Sequence, residues 1–351
     1  MRAVLAETIG WGWAYVQHVV VMFYWAWAPG ILAVAALSAR YRPDLREITL
    51  KRQSDAAGVL AAIGWGMTSG AGRRASLAAA ARLRAQGVPD RVVLAYLVAS
   101  HQLGLFVLLL FTLLIGLEFG LGLFFGGLAM AGLLCLFAPV LGSGRSGPAR
   151  PETDGEEEMA RPGWRGLLCS RRSGDAIPRE VGRPLRQMAG SLLGGLILGA
   201  LILTVDNNGY WFLPKWLGGE GVGPALAGAF LASLLSVALF LAPGGNLFVA
   251  SSIWKTWTLT NPGVLAFVLM SLVNPLTVRV LLRQYGRRQG WLLVLATYLA
   301  AALSGLAVAS LFTVVGLEVT HVPWLRDLVD RIILALPFTM LGAPGGGMEG
   351  M

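Results

Sequence analysis

"GWGMTSGAGRRASLAAAARLRAQGVP", residues 64–89, decides how this chain is read. It continues an apolar segment that carries no charge from Ala56 to Gly72, then sets Arg73 and Arg74 directly after the interruption Thr68-Ser69-Gly70-Ala71-Gly72. Whether the apolar segment crosses a membrane there or turns back fixes the topology of everything after it.

That a membrane is involved follows from composition. The 351 residues are 56% hydrophobic and 13% charged, with a mean hydropathy of +0.65, outside the range of soluble globular domains. Runs of spanning length cover Trp13 to Ala39, Val92 to Leu117, Phe119 to Leu141, Met188 to Val205, Val222 to Ala242 and Trp291 to Leu317. The first run is too long for a signal-peptide core and lacks a small-residue cleavage pattern, so it is expected to stay as a span. A net charge of +9 would point a soluble protein toward nucleic acid; here membrane orientation is the simpler cause, and no nucleic-acid partner is expected. Cys135, in a span, and Cys169, in the large loop, read as a packing residue and a free thiol. The chain has no phosphate loop, no nucleophile with a nearby base and no His-carboxylate metal spacing, so no enzyme, cofactor or metal is expected.

Orientation then decides the opening question. Basic residues gather at 40–52, 73–91, 145–186 and 279–288, which together hold 23 of the 28. The positive-inside rule wants all four groups cytoplasmic. A full crossing by residues 55–72 would put Arg73 to Arg91 outside, and the large loop with them. The conflict vanishes if 55–72 dip in and 73–87 return to the same side as a re-entrant hairpin. Irregular backbone at that depth is tolerated only where protein or a water-filled cavity surrounds it. The same arithmetic downstream makes 222–242 enter from outside, break at "APGGN" (242–246) and return over 247–258, with 261–282 crossing inward and 290–317 crossing outward. The second half is then the first half upside down. A local repeat supports this: "VLAYLVAS" (93–100) matches "VLAFVLMS" (264–271) at an offset of 171, which also sets Ala71-Gly72-Arg73-Arg74 on Ala242-Pro243-Gly244-Gly245. Inverted repeats with paired broken helices are a transporter architecture whose sites lie near midplane.

The stretches "RLRAQGVPDRVVLAYLVAS" (82–100), "NLFVASSIWKTW" (246–257) and "VLAFVLMSLVNPLTVRVLLRQYG" (264–286) resemble the predicted permease family related to the bacterial organoarsenical efflux permease. The similarity covers about residues 55–117 and 225–310, and it implies a permease. The chain departs from that family at both breaks, where many relatives carry cysteine and an acidic residue; it has Gly72-Arg73-Arg74 and Ala242-Pro243-Gly244-Gly245-Asn246, with neutral Asn246 at the acidic position. Without a thiol at either break, coordination of a thiophilic metal or metalloid has little support.

The candidate substrate residues are those at the two breaks. Thr68, Ser69 and Gly72 can unwind the first arm. Arg73, Arg74 and Ser76 add guanidinium and hydroxyl donors to a helix N-terminus, where unpaired N–H groups and the dipole favour an anion. The two arginines would equally serve by snorkelling to headgroups and holding the hairpin inside. Gly244, Gly245 and Asn246, behind Pro243, form the second break. His101, Gln102 and Asn274 are intramembrane polar residues and candidates for coupling or pathway roles, although a lone histidine also satisfies itself on a nearby carbonyl. Lys255, between two tryptophans, reads as an interfacial anchor.

The expectation is therefore an all-α polytopic membrane protein of two inverted-topology repeats, each with about three spanning helices and one re-entrant broken-helix hairpin. Residues 1–141 form the first repeat, 142–186 a disordered cytoplasmic linker, 187–320 the second repeat, and 321–351 an interfacial tail. It would sit in the inner membrane with lipid as its surroundings and a small-molecule or ion substrate; a homo-oligomer is compatible. Alternating-access transport of a small, anionic solute is the leading function, against a channel-like facilitator or a non-transporting scaffold.

Overall fold

Helix α1, Ala56–Thr68, stops where the Ser-Gly-Ala-Gly interruption begins, and α2, Arg73–Ala85, starts on the two arginines. The computed structural model describes residues 56–68, 73–141, 173–207, 221–241 and 243–316, with isolated positions at 10, 13, 16, 17, 217 and 219. The expected first span, the interruption at Ser69 to Gly72, most of the linker with Cys169, and the tail lie outside the described residues.

After α2 come α3 (Asp90–Gln102), α4 (Leu105–Leu114), α5 (Leu117–Phe137) with a short 3-10 turn, α6 (Ser173–Asn207), α7 (Val222–Ala238), α8 (Pro243–Lys255), α9 (Asn261–Met270), α10 (Pro275–Tyr285) and α11 (Arg287–Val315). All regular structure among the described residues is helical. Helix α5, residues Ala189–Asp206 within α6, and α11 are long and apolar enough to cross a membrane, and α9 with α10 qualifies as one span bent by 57°. Helices α1, α2 and α8, at 13 residues, are each about 20 Å long, short of a hydrocarbon core of about 30 Å.

Three expectations need correction. The run Val92 to Leu117 is not one helix: α3 ends at Gln102, α4 starts at Leu105, and Leu117 already opens α5. Residues 261–282 are likewise interrupted, between Met270 and Pro275. The cause of the second interruption is local, because a residue before proline avoids helical backbone and Asn274 accepts from the Thr277 N–H at 2.9 Å as the cap of the next helix. Helix α6 begins at Ser173, so residues 173–186 of the expected linker are helical.

Four consecutive helices recur at a nearly constant spacing. Helices α2 to α5 begin at 73, 90, 105 and 117; α8 to α11 begin at 243, 261, 275 and 287, a spacing of 170 or 171. For α2 and α8 the spacing is 170, so Ser76 is the counterpart of Asn246, where the match at 171 sets Arg74 on Gly245. The correspondence reaches single hydrogen bonds. Helix α2 closes with Gly87 N–H to Arg84 O and Val88 N–H to Leu83 O; α8 closes with Trp257 N–H to Trp254 O and Thr258 N–H to Ile253 O. That is the Schellman pattern, and it puts Gly87 and Trp257 at φ of 84° and 53°. Gly116 and Gly286, also at positive φ, make the turns before α5 and α11. Gly120 of α5 lies against Thr112, and Gly290 of α11 against Leu282, so both helix pairs cross at a glycine.

Packing partners repeat too. Helix α1 packs on α3 as α7 does on α9, α3 on α5 as α9 on α11, and α4 on α5 as α10 on α11. Between the halves α5 meets α11, and the pairs α4–α8 and α2–α10 exchange with each other. Helices α3 and α9 form the centre: Val92 to Ala99 and Gly263 to Met270 are buried on every face, as expected of helices apolar all round. Helix α8 is buried from Gly244 to Ile253 and docks backbone to backbone on α6, where a Cβ at Gly245 would fall 2.1 Å from the Ser191 carbonyl oxygen and one at Gly195 2.1 Å from that of Gly245.

Candidate functional site

The polar residues expected at the breaks fall into two groups. At the first break, Thr68 closes α1, Arg73 and Arg74 open α2, and Ser76 lies in the first turn of α2, completely buried. Gly244, Gly245 and Asn246 occupy the matching first turn of α8, also buried. The Asn246 side chain donates from Nδ2 to Ser236 Oγ at 3.0 Å, tying α8 to α7 across the break, while its Oδ1 has no partner. The amide thus keeps one buried hydrogen-bonding atom without a partner at the start of α8. Phe240 takes the turn at a left-handed φ of 55°, a conformation an aromatic residue adopts only when its surroundings hold it there.

The second group lies where α3 and α9 end. His101 and Gln102 are the last residues of α3, and Gln102 Nε2 donates to Leu269 O at 2.7 Å and to Ser271 Oγ at 3.3 Å. His101 Nδ1 lies 3.0 Å from Leu97 O, one turn back. A histidine anchored on its own helix is what the plainer reading of this residue expects. Asn274 caps α10, with its Nδ2 unpartnered, and Gln102 Oε1 and Thr277 Oγ1 are also buried without partners. The interrupted helices are therefore cross-linked at the protein's centre. The cavity beside them, lined by Leu97, Val98, Leu272, Val273 and Thr277 among others, measures about 10 Å³, room for one water.

Two contacts between the halves escaped the sequence reading. In the first, Arg84, at the end of α2, pairs with Asp90, at the start of α3, at 2.9 Å; its guanidinium carbon lies 3.8 Å from the centre of the Tyr285 ring, at the end of α10. Arg84 Nη1 also donates to Gln284 O, and Tyr285 Oη donates to Asp90 Oδ1 at 3.3 Å. Arg84 and Asp90 retain 12% and 19% exposure, so the pair is mostly dry. In the second, Trp254, at the end of α8, donates from Nε1 to Asn261 Oδ1 at 3.2 Å, at the start of α9. Its ring stands edge to face with Phe119 at 5.4 Å, and Phe119 in turn with Phe111 at 5.8 Å. Trp254 is the repeat counterpart of Arg84, and Asn261 of Asp90.

Helix α5 measures the distance between these contacts. Phe119 lies in its first turn, beside Trp254, and Cys135 near its far end donates to Arg91 O at 3.3 Å, next to Asp90. Sixteen residues of helix separate the two, about 24 Å. The ionic contact and the aromatic contact thus lie at opposite ends of α5, each joining a short helix of one half to a helix of the other. The repeat, read at 170, aligns Arg84 with Trp254, but no signal in the sequence pairs either residue with its partner in the other half.

Among the described residues no group of three His, Cys, Asp or Glu side chains could hold a metal ion. No match was found among curated proteins or among solved structures. A family model described as a predicted permease, of the ArsP type, matches residues 14–310. With apolar helices of spanning length and most of the chain covered by that match, this membrane protein belongs to the predicted permease family.

Proposed function

We propose that the chain is a carrier of a small anionic solute, in which two inverted repeats rock about a central site and open it to one side at a time. The observation that carries this reading is the pair of contacts at opposite ends of α5. Equivalent helices end on opposite sides: α2 finishes at the Arg84 end and α8 at the Trp254 end. Parallel repeats would bring the ends of α2 and α8 together. The basic end, with Arg82, Arg84, Arg91, Arg283 and Arg287, is then cytoplasmic, and α1–α2 and α7–α8 are re-entrant hairpins entering from opposite faces of an inner membrane.

In this scheme the ionic and aromatic contacts are the two gates. With both formed, the cavity beside the central interruptions has room for about one water, as a carrier closed at both ends would have. Opening the ionic gate parts α2 from α10; opening the aromatic gate parts α8 from α4 and α5. The solute binds at the N-termini of α2 and α8, which carry Arg73, Arg74 and Ser76 and the Gly244-Gly245-Asn246 turn. The first-turn N–H groups and the dipole of each helix suit an oxyanion or carboxylate.

The test is side-specific labelling with a membrane-impermeant thiol reagent, in a chain carrying Cys135→Ala and Cys169→Ala. Single substitutions Ala56→Cys and Gln86→Cys bracket the first hairpin, and Gly223→Cys and Trp257→Cys the second. Re-entrant hairpins require the first two to label only from the cytoplasm and the last two only from outside. Opposite sidedness within either pair means that the segment crosses, and the inverted scheme fails.

A further inference from the structure

The surfaces of α2 and α10 differ in kind from those of the other helices. Helices α5, α6, α7 and α11 expose large apolar side chains such as Phe125, Ile197, Leu234 and Leu303, as lipid contact demands. Helix α2 buries its only large apolar residues, Leu77 and Leu83, and exposes Ala75, Ala78, Arg82 and Ala85. Helix α10 buries Thr277, Leu281 and Tyr285 and, below Leu276, exposes Arg279 and Arg283 in successive turns. The two helices meet at their ends through Arg84 and Tyr285.

The repeat sharpens the contrast. The counterpart of Arg279 is Leu109 of α4, exposed in the same way, on a helix with no charged residue at all. Position 109 suits lipid; position 279 does not. Arg279 lies about 7 Å of helix rise from the interruption at Asn274 and about 9 Å from the end of α10. An arginine facing hydrocarbon near the centre of a span costs about 2.5–3.5 kcal/mol, so such residues turn toward protein or water. We infer that the exposed faces of α2 and α10 line a water-filled vestibule on the basic side, whose positive field from Arg82, Arg279 and Arg283 gathers small anions below the ionic gate. This rests on the carrier reading for its purpose, but its test does not depend on transport or on knowing the solute.

The experiment measures the reactivity of single cysteines with thiosulfonates of opposite charge, the anionic sulfonatoethyl and the cationic trimethylammonioethyl reagents, in the full chain carrying Cys135→Ala and Cys169→Ala. Ala78→Cys reports from the vestibule wall and Leu109→Cys from the lipid-facing counterpart. The expected result is reaction at position 78 and none at 109, with the anionic reagent favoured over the cationic by on the order of 10-fold after correction for their intrinsic rates. Adding Arg279→Gln and Arg283→Gln should remove most of that preference, and Arg279→Lys with Arg283→Lys should keep it. No reaction at position 78 overturns the vestibule. Reaction without a charge preference, or a preference unmoved by the glutamine pair, overturns the anion-gathering role. Failure of the re-entrant topology would leave this measurement standing on its own.

Discussion

Replacing Asp90 with asparagine should unlatch one end of the protein while leaving the other closed. The substitution keeps the side-chain shape, the helix start and a hydrogen bond for Tyr285, and removes only the charge that holds Arg84. A hydrogen bond to a charged group contributes about 1.5–3 kcal/mol when shielded, and exposed pairs about 0.2–1 kcal/mol. The Arg84–Asp90 pair joins α2 to α3 inside one half; what crosses to α10 is the Tyr285 Oη bond to the Asp90 carboxylate and the Arg84 contacts with Tyr285 and Gln284, which the pair holds in place. Trading the charged acceptor for a neutral one leaves those contacts weaker by about 1 kcal/mol, which shifts the ratio of open to closed gate about fivefold. The assay is the labelling rate of Leu281→Cys, on the wall of the central cavity, from the basic side: it should rise about fivefold in Asp90→Asn and further when Arg84→Gln removes the remaining contacts with α10. A labelling rate unchanged by the loss of the charge would refute the gate. So would a rise that appears equally from the opposite side, since that reports general loosening.

The aromatic gate predicts the converse: Trp254→Ala removes a ring contact of about 0.5–1.5 kcal/mol together with the Asn261 bond and should speed labelling from the aromatic end only, whereas Trp254→Phe keeps most of the closure. Gly245→Val drives a side chain into the Ser191 carbonyl and should cost at least about 1–3 kcal/mol, read as a lower Tm in detergent and lower abundance; Gly194→Ala, one residue from the contact, should be mild. Gly87→Ala places a Cβ on left-handed backbone and should destabilise by about 1–2 kcal/mol, while Trp257→Gly at the equivalent turn relieves a similar strain. Melting shifts of the same sign for those two would contradict the equivalence of the turns.

Much of this architecture is legible in the residues. Composition alone identifies a membrane protein, and the Ser-Gly-Ala-Gly run marks the first break, between Thr68 and Arg73, because glycine acts on the backbone locally; the second break comes earlier than its Ala-Pro-Gly-Gly run suggests, since α7 ends at Ala238 and Pro243 to Asn246 already form the first turn of α8, where proline is tolerated. The central interruptions were hidden by apolarity. A run such as "LVASHQLGLFVLLLF" satisfies a hydropathy criterion whether or not the helix breaks at Leu103 and Gly104, and only Asn274-Pro275 in the other half carries a local stop signal. The gates were out of reach for a different reason. Arg84 and Tyr285 are some two hundred residues apart, and nothing in either neighbourhood names the other. The repeat was found at 171 from the central helices, while the hairpins follow 170, and that single residue hid the pairing of Ser76 with Asn246.

The contact between α6 and α8 bears on how the protein is made. Helix α8 carries Asn246, Ser251, Ser252 and Lys255 on 13 residues, too short and too polar to be released into lipid by itself. Among the described residues its closest backbone fit is to the Ser191–Gly195 face of α6, which leaves the ribosome first. During synthesis α6 must therefore already stand in the bilayer when the hairpin emerges, and a chain interrupted between residues 173 and 207 would strand α8 at the translocon, a substrate for quality-control proteolysis before any solute is met.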